Sequence, residues 1–162
     1  MRTSSSGRRG VLALWLAPLA LYALVFVAFT WPLLGRFSTH FFANDGDGLV
    51  NVWNLWWVDT ALTQLHTSPW FTPYLHFPHG TTLLGHTLNP FNGLVAVPLL
   101  PWLGLVRAHN LIVIAGFVLG AYTAFRLALH VSDRFPASLI AGFVFGFSNY
   151  HFAHAEGHLN LV

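Results

Sequence analysis

The chain contains no cysteine and no lysine, and only 7% of its residues are charged. Without cysteine there are no disulfides, thiolate metal sites or cysteine nucleophiles, and the redox compartment is left unwritten. The scarcity of charge excludes more. A soluble domain carries about 25% charged residues, whereas seven arginines and five acids serve all 162 residues here. Such a sequence cannot clothe a water-facing surface. A hydrophobic fraction of 55%, an aromatic fraction of 16% and a mean hydropathy of +0.59 point the same way. Soluble enzymes, disordered regions and fibrous repeats are set aside, and an all-α integral membrane protein is expected. The net charge of +2 is too small, and too confined to the N-terminus, for nucleic-acid binding. Gly-rich nucleotide motifs and a Gly-x-Ser-x-Gly elbow are also missing. Against this scarcity stand ten histidines, twice the number of acids.

About three transmembrane helices are expected, at 11–34, 108–131 and 136–154. Arg2, Arg8 and Arg9 precede the first, Val11 to Leu34, whose only polar groups are Tyr22 and Thr30. At 1.5 Å per residue it reaches roughly 36 Å, enough to cross a hydrocarbon core with some tilt. Pro18 can kink it, while Trp31 and Pro32 suit its far interface. Arg8-Arg9 is faintly like a twin-arginine signal, but the run is too long for a signal h-region and no small-x-small site follows. The positive-inside rule then puts the N-terminus in the cytoplasm and Gly35 onward outside.

Residues 35–107 form a long external loop in this reading. Leu49 to His66 lacks Gly and Pro and predicts a helix, and Trp53, Trp56 and Trp57 suit the membrane interface. Ser68 to Gly80 carries Pro69, Pro73 and Pro78 and predicts an ordered, aromatic-rich loop. Asn92 to Val106 is apolar but short and broken by Pro98 and Pro101, which suits a re-entrant or interfacial segment. If it does not cross, Arg126 and Arg134 join the N-terminal three inside, leaving Arg36 and Arg107 outside. If it does cross, Arg107 moves inside and Arg126 and Arg134 move out, a poorer fit. The better topology puts every histidine except His130 outside, with Asp45, Asp47, Asp59 and Glu156. Within the spans, AGFVLG (115–120) echoes AGFVFG (141–146), and each carries the Gly-x-x-x-Gly spacing that lets helix backbones approach.

Three constellations carry chemistry. Asn44-Asp45-Gly46-Asp47-Gly48 can turn tightly and aim two carboxylates at one hard cation, or hold an acceptor hydroxyl and take its proton. Leu49 stands where an EF-hand needs its third oxygen ligand, and a solvated turn is the bland alternative. At the end of the third span, His151, His154 and His158 lie within about 60° of one another if the helix continues, at 100° per residue. Glu156 then points away unless Gly157 ends the helix. Three such imidazoles can bind zinc or grip a phosphate, or can simply be solvated. Lastly, the tryptophan-rich helix and Trp70-Phe71-Thr72-Pro73-Tyr74 can stack on a sugar ring or prenyl chain, or can form an ordinary aromatic belt. Arg36 and Arg107 can neutralise a lipid phosphate or snorkel to the headgroups.

With GDGLVNVWNLWW, PWFTPYLHFPHG and FSNYHFAHAEGHLNL, the chain resembles the N-terminal part of GT-C-type integral-membrane glycosyltransferases, and more narrowly a group of bacterial multi-spanning proteins placed with them. The resemblance covers nearly the whole chain. It implies inverting transfer of a sugar from a polyprenyl-phosphate donor to a glycan, lipid or protein acceptor, on the outer face of the bacterial inner (plasma) membrane. Asp47, or else Asp45, would orient and deprotonate the acceptor. A divalent metal ion (magnesium, manganese or zinc) or Arg and His donors would meet the charge on the leaving phosphate. Asp45, Asp47, His154, Glu156 and His158 are the metal ligands this implies, and Asn51, Trp53, Trp57, Arg107 and His151 the substrate contacts. His stands where many members use Asp, which puts the metal in question. Members are much longer, so this reading makes the chain a fragment of a larger helical bundle, inactive alone. The main rival is a non-catalytic multi-spanning membrane protein, such as a transporter part or assembly factor. A haem protein fits poorly, because His109 and His130 sit at opposite ends of one span.

Overall fold

The computed structural model describes residues 5–161, with side chains from Trp15 onward. Arg2 and the side chains of Arg8 and Arg9, on which the expected cytoplasmic start rests, lie outside this description. Helices make up 69% of the chain and strands 3%, so the fold is all-α. In chain order the helices are α1 (Ser5–Phe29), α2 (Trp31–Arg36), α3 (Asp47–Asp59), α4 (Pro90–Ala96), α5 (Leu100–Ser132), α6 (Phe135–Gly146) and α7 (Asn149–Ala155). A π-helical turn, Thr60–Gln64, extends α3, and a short 3₁₀ turn covers Leu159–Leu161. The loop after α3 closes through two short antiparallel strands, β1 (Phe71–Thr72) and β2 (Thr81–Thr82), with Phe71 opposite Thr82. Among the described residues, α5 is the helix long and apolar enough to cross a hydrocarbon core.

Helix ends differ from the sequence-based expectation at three places, each for a local reason. The helix expected over 11–34 stops at Phe29. Thr30 bonds back through its hydroxyl to the Phe26 carbonyl (2.7 Å), and a separate short helix starts at Trp31 with Pro32 in its first turn. The helix expected over 136–154 is two helices. The Ser148 hydroxyl accepts the His151 N–H (3.3 Å), which is N-cap geometry, so α7 starts afresh after α6 ends at Gly146. The segment 92–106 is also divided: α4 ends at Ala96, and the start of α5 is broken at Gly104, whose φ of 70° takes it out of the helix. The helix expected over 49–66 is present as α3 and its π-helical extension.

The chain divides into two compact units, residues 1–35 with 114–151, and residues 36–113 with 152–162. In the first unit α1 turns Tyr22 and Phe26 inward, and the Tyr22 hydroxyl, polar in an apolar run, donates to the Leu139 carbonyl (3.0 Å). Phe117, Ala121 and Phe125, one turn apart on α5, form the facing stripe. Ser138, Gly142 and Gly146 are buried on α6 at the same spacing. A Cβ on Gly146 would lie 2.5 Å from the Ala121 Cβ, and one on Gly142 would strike the Tyr22 hydroxyl. The Gly-x-x-x-Gly of 142–146 is thus a close helix–helix contact. Its echo at 116–120 is looser at Gly120, where an added Cβ would make only ordinary contacts. The Arg126 guanidinium covers the Trp15 ring at 3.7 Å.

In the second unit Trp57, Val58 and Ala61 pack with Leu83 and Leu88, which anchors the long loop to α3. The Trp57 indole donates to the Pro69 carbonyl (2.8 Å). One side chain ties the chain before α3 to α5. Asn110, fully buried, accepts the Phe42 N–H (2.8 Å) and donates to the carbonyls of Phe37 (2.9 Å) and His40 (2.8 Å).

Candidate functional site

The acidic loop owes its shape to Asn44. Its side-chain oxygen accepts the N–H groups of Gly46 (3.1 Å) and Gly48 (2.8 Å), which are otherwise orphaned at the start of α3. Asp47 thereby becomes the first residue of α3, where a carboxylate also favours the helix dipole. The side chain of Asp47 remains exposed, as does Asp45.

The second polar segment arrives from α7. That helix stops at Ala155, and the His158 N–H closes the turn on the His154 carbonyl (2.6 Å). The Glu156 carbonyl then accepts the Asn44 N–H (2.8 Å), and the Gly157 carbonyl accepts the Asn51 amide (2.8 Å). The same Asn51 amide donates to the Asp47 carbonyl (2.9 Å), so one side chain ties both segments together. Close approach depends on Gly48, because a Cβ there would strike the Glu156 carbonyl. Asn92 on α4 adds a bond to the Leu159 carbonyl (3.3 Å). As a result His158 Nε2 stands 3.8 Å from the Asp47 carboxylate, with both side chains open to solvent. That spacing leaves the carboxylate oxygens free to accept a proton from a third group. The His154 ring is 5.5 Å from that of His158.

The other residues singled out in the sequence go to different places. Asn51 is buried and spends its amide on two carbonyls, so it builds the site and does not face a substrate. Trp57 is fully buried, and its ring is core. Trp53 is only half-buried and stacks on Trp57 at 6.0 Å and 12°. It lines an apolar groove of about 270 Å³ with Leu49, Val50, Leu75 and His86. Arg107 is exposed on α5. His151 belongs to the first unit, stacked on Phe117 at 4.2 Å, while His154 and His158 belong to the second. His151 and His154 share α7, and the end of that helix at Ala155 takes His158 off the single helical face expected for the three.

The expected metal set fares accordingly. Among the described residues no three His, Asp or Glu side chains converge as a metal site. Asp47 and His158 supply two donors, and Asp45, His154 and Glu156 do not complete a set around them. Asn110 carries no sequence signal, because its side chain bonds to distant backbone, whereas Asn44 bonds locally to Gly46 and Gly48 and stands in the acidic motif without its role being read from it. Compared with known proteins, the chain matches no family model, no curated protein and no solved structure.

Proposed function

We propose that this chain carries the acceptor-activating site of a membrane-embedded glycosyltransferase, working on the outer face of a bacterial plasma membrane with its N-terminus in the cytoplasm. The observation that carries this reading is the clamp between the acidic loop and the 154–158 segment, which leaves Asp47 and His158 exposed side by side at 3.8 Å. Asp47 takes the proton of the acceptor hydroxyl. The freed oxygen attacks the anomeric carbon as its bond to the carrier phosphate breaks, and polyprenyl phosphate leaves. His158 stands beside the carboxylate at 3.8 Å without a hydrogen bond to it. These steps use Asp47 and His158 alone. The apolar groove lined by Leu49, Val50, Trp53, Leu75 and His86 suits an apolar chain or ring, and the long apolar α5 supports a place in the bilayer.

The test is transfer from polyprenyl-phosphate-linked sugars by the full-length protein in membranes. A general base contributes about 10²–10⁴-fold, so Asp47→Asn should lose turnover on that scale while the protein stays folded. Undiminished turnover in that variant would remove Asp47 from catalysis. A wild-type protein inert toward every lipid-linked sugar would favour a non-catalytic membrane role.

A further inference from the structure

Asparagines are oddly concentrated where α3 meets α4, and their amides are only partly satisfied. Asn51 and Asn54, one turn apart on α3, are 3% and 0% exposed. Their nitrogens are used: Asn51 donates to the carbonyls of Asp47 and Gly157, and Asn54 to that of Thr87 at 2.6 Å. Both side-chain oxygens are buried with no hydrogen-bond partner. On the facing segment Asn89 has the converse problem. Its oxygen accepts the Asn92 N–H (3.4 Å), and its nitrogen is buried without a partner.

Flipping an amide does not repair this. Turning Asn51 or Asn54 would set an oxygen against carbonyl oxygens, and turning Asn89 would set NH₂ against an N–H. The seam therefore presents two bare acceptors and one bare donor. Register brings them together. Asn54 is bonded to Thr87, and a Cβ on Gly93 would lie 2.6 Å from the Val58 side chain. The segment that carries Asn89 is thus held against α3 on both sides of it, at Asn54 through Thr87 and at Val58 through Gly93.

We propose that this seam is a binding site for internal water, which donates to the oxygens of Asn54 and Asn51 and accepts from the nitrogen of Asn89. Water is the ligand with that complement: two hydrogens to give and lone pairs to receive. A cation would satisfy the two oxygens but would be repelled by the Asn89 NH₂. The bound water links α4 to the Asn51 amide, and through it to the clamp at Gly157. The inference holds whatever reaction the acidic loop serves.

A double-mutant cycle on the full chain tests it. Asn54 and Asn89 share no direct bond, and the pair Asn54→Ala with Asn92→Ala, on the same segment but off the proposed water, sets the background coupling of close neighbours in Tm. With a shared water, Asn54→Ala with Asn89→Ala loses less than the sum of its single variants by more than that background. The first change has already released the water, while each still costs its own bond. A coupling no larger than the background counts against the water. Strict additivity overturns the proposal. Should the variants fail to fold, an experimental structure of the unmodified protein decides. Solvent density within hydrogen-bond distance of Asn54 Oδ1 and Asn89 Nδ2 supports it. A dry seam, or density ringed by five or six oxygens as for a cation, refutes it.

Discussion

Replacing Gly48 with alanine sets two physical effects against each other and so tests the clamp by sign. Gly48 lies in the first turn of α3, and helix propensity alone predicts a gain of roughly 0.5–1 kcal/mol for Gly→Ala. The clamp predicts a loss. The added Cβ would strike the Glu156 carbonyl and lie 2.8 Å from the Ala43 Cβ and 3.1 Å from the Ala43 Cα. No rotamer change relieves these contacts, since one is a backbone oxygen and the others belong to a residue without side-chain torsions. If the segments stay together, overpacking costs about 1–3 kcal/mol. If they part, the bonds from Asn44 to Glu156 and from Asn51 to Gly157 are lost, at about 0.5–1.5 kcal/mol each. Because the Cβ meets three heavy atoms at once, the cost belongs in the upper half of either range, about 2–3 kcal/mol, which outweighs the helical gain and leaves a net destabilisation of about 1–2 kcal/mol.

Gly85→Ala is the matched control in the same unit, because nothing lies within 4 Å of its added Cβ. It should fall within about 0.5 kcal/mol of wild type. Thermal unfolding in detergent, followed by tryptophan fluorescence, reads both variants, since Trp53, Trp56 and Trp57 sit in that unit. At roughly 2–4 °C per kcal/mol for a chain of this size, Gly48→Ala should lower Tm by roughly 2–8 °C. A Tm at or above wild type for Gly48→Ala would mean that the acidic loop and Glu156 do not touch. The pairing of Asp47 with His158 would fall with it.

Three further outcomes are expected. Asn110→Ala leaves one N–H and two carbonyls of the 37–42 segment without their partner, and at about 1 kcal/mol per bond should cost roughly 2–4 kcal/mol in chemical denaturation; a loss below about 0.5 kcal/mol would deny its anchoring role. Gly146→Leu should force α6 away from Ala121 and cost at least about 1–3 kcal/mol, read by the same method, with unchanged stability refuting the close contact. Because the chain has no cysteine, Ser132→Cys gives a single thiol, which should resist an impermeant maleimide in intact cells if the α5–α6 turn is cytoplasmic; labelling there would invert the proposed topology.

Which parts of this architecture could be read from sequence follows from the range of the interactions involved. Helical character is additive over many residues, so the apolar runs announce helices even where their ends are misplaced. Ends are set by single hydrogen bonds, and Ser148 is a case in point: one hydroxyl on one N–H restarts the chain as α7. The motif Phe147-Ser148-Asn149 did contain that signal, but within a strongly apolar run it is outweighed by hydropathy. The small-residue spacing at 142–146 was legible as a packing face because glycine has little other use in mid-helix. Its near twin at 116–120 differs at Gly120 for a reason no local pattern contains, the identity of the residue across the gap. Burial divides Trp53 from Trp57 in the same way: four residues apart on one helix, one borders a groove and the other is core. The site itself lies at the far end of this scale. Asp45 and Asp47 stand out because acids are rare in the chain, but the neighbour that gives Asp47 a chemical context is His158, far away in sequence. Their meeting depends on Asn44, Asn51 and the missing Cβ of Gly48, whose bonds and contacts are to backbone. Backbone is the same at every position, so a residue that recognises it leaves no complementary partner to look for in the sequence. That is the physical reason an acidic motif can be seen in one dimension while the clamp that positions it cannot.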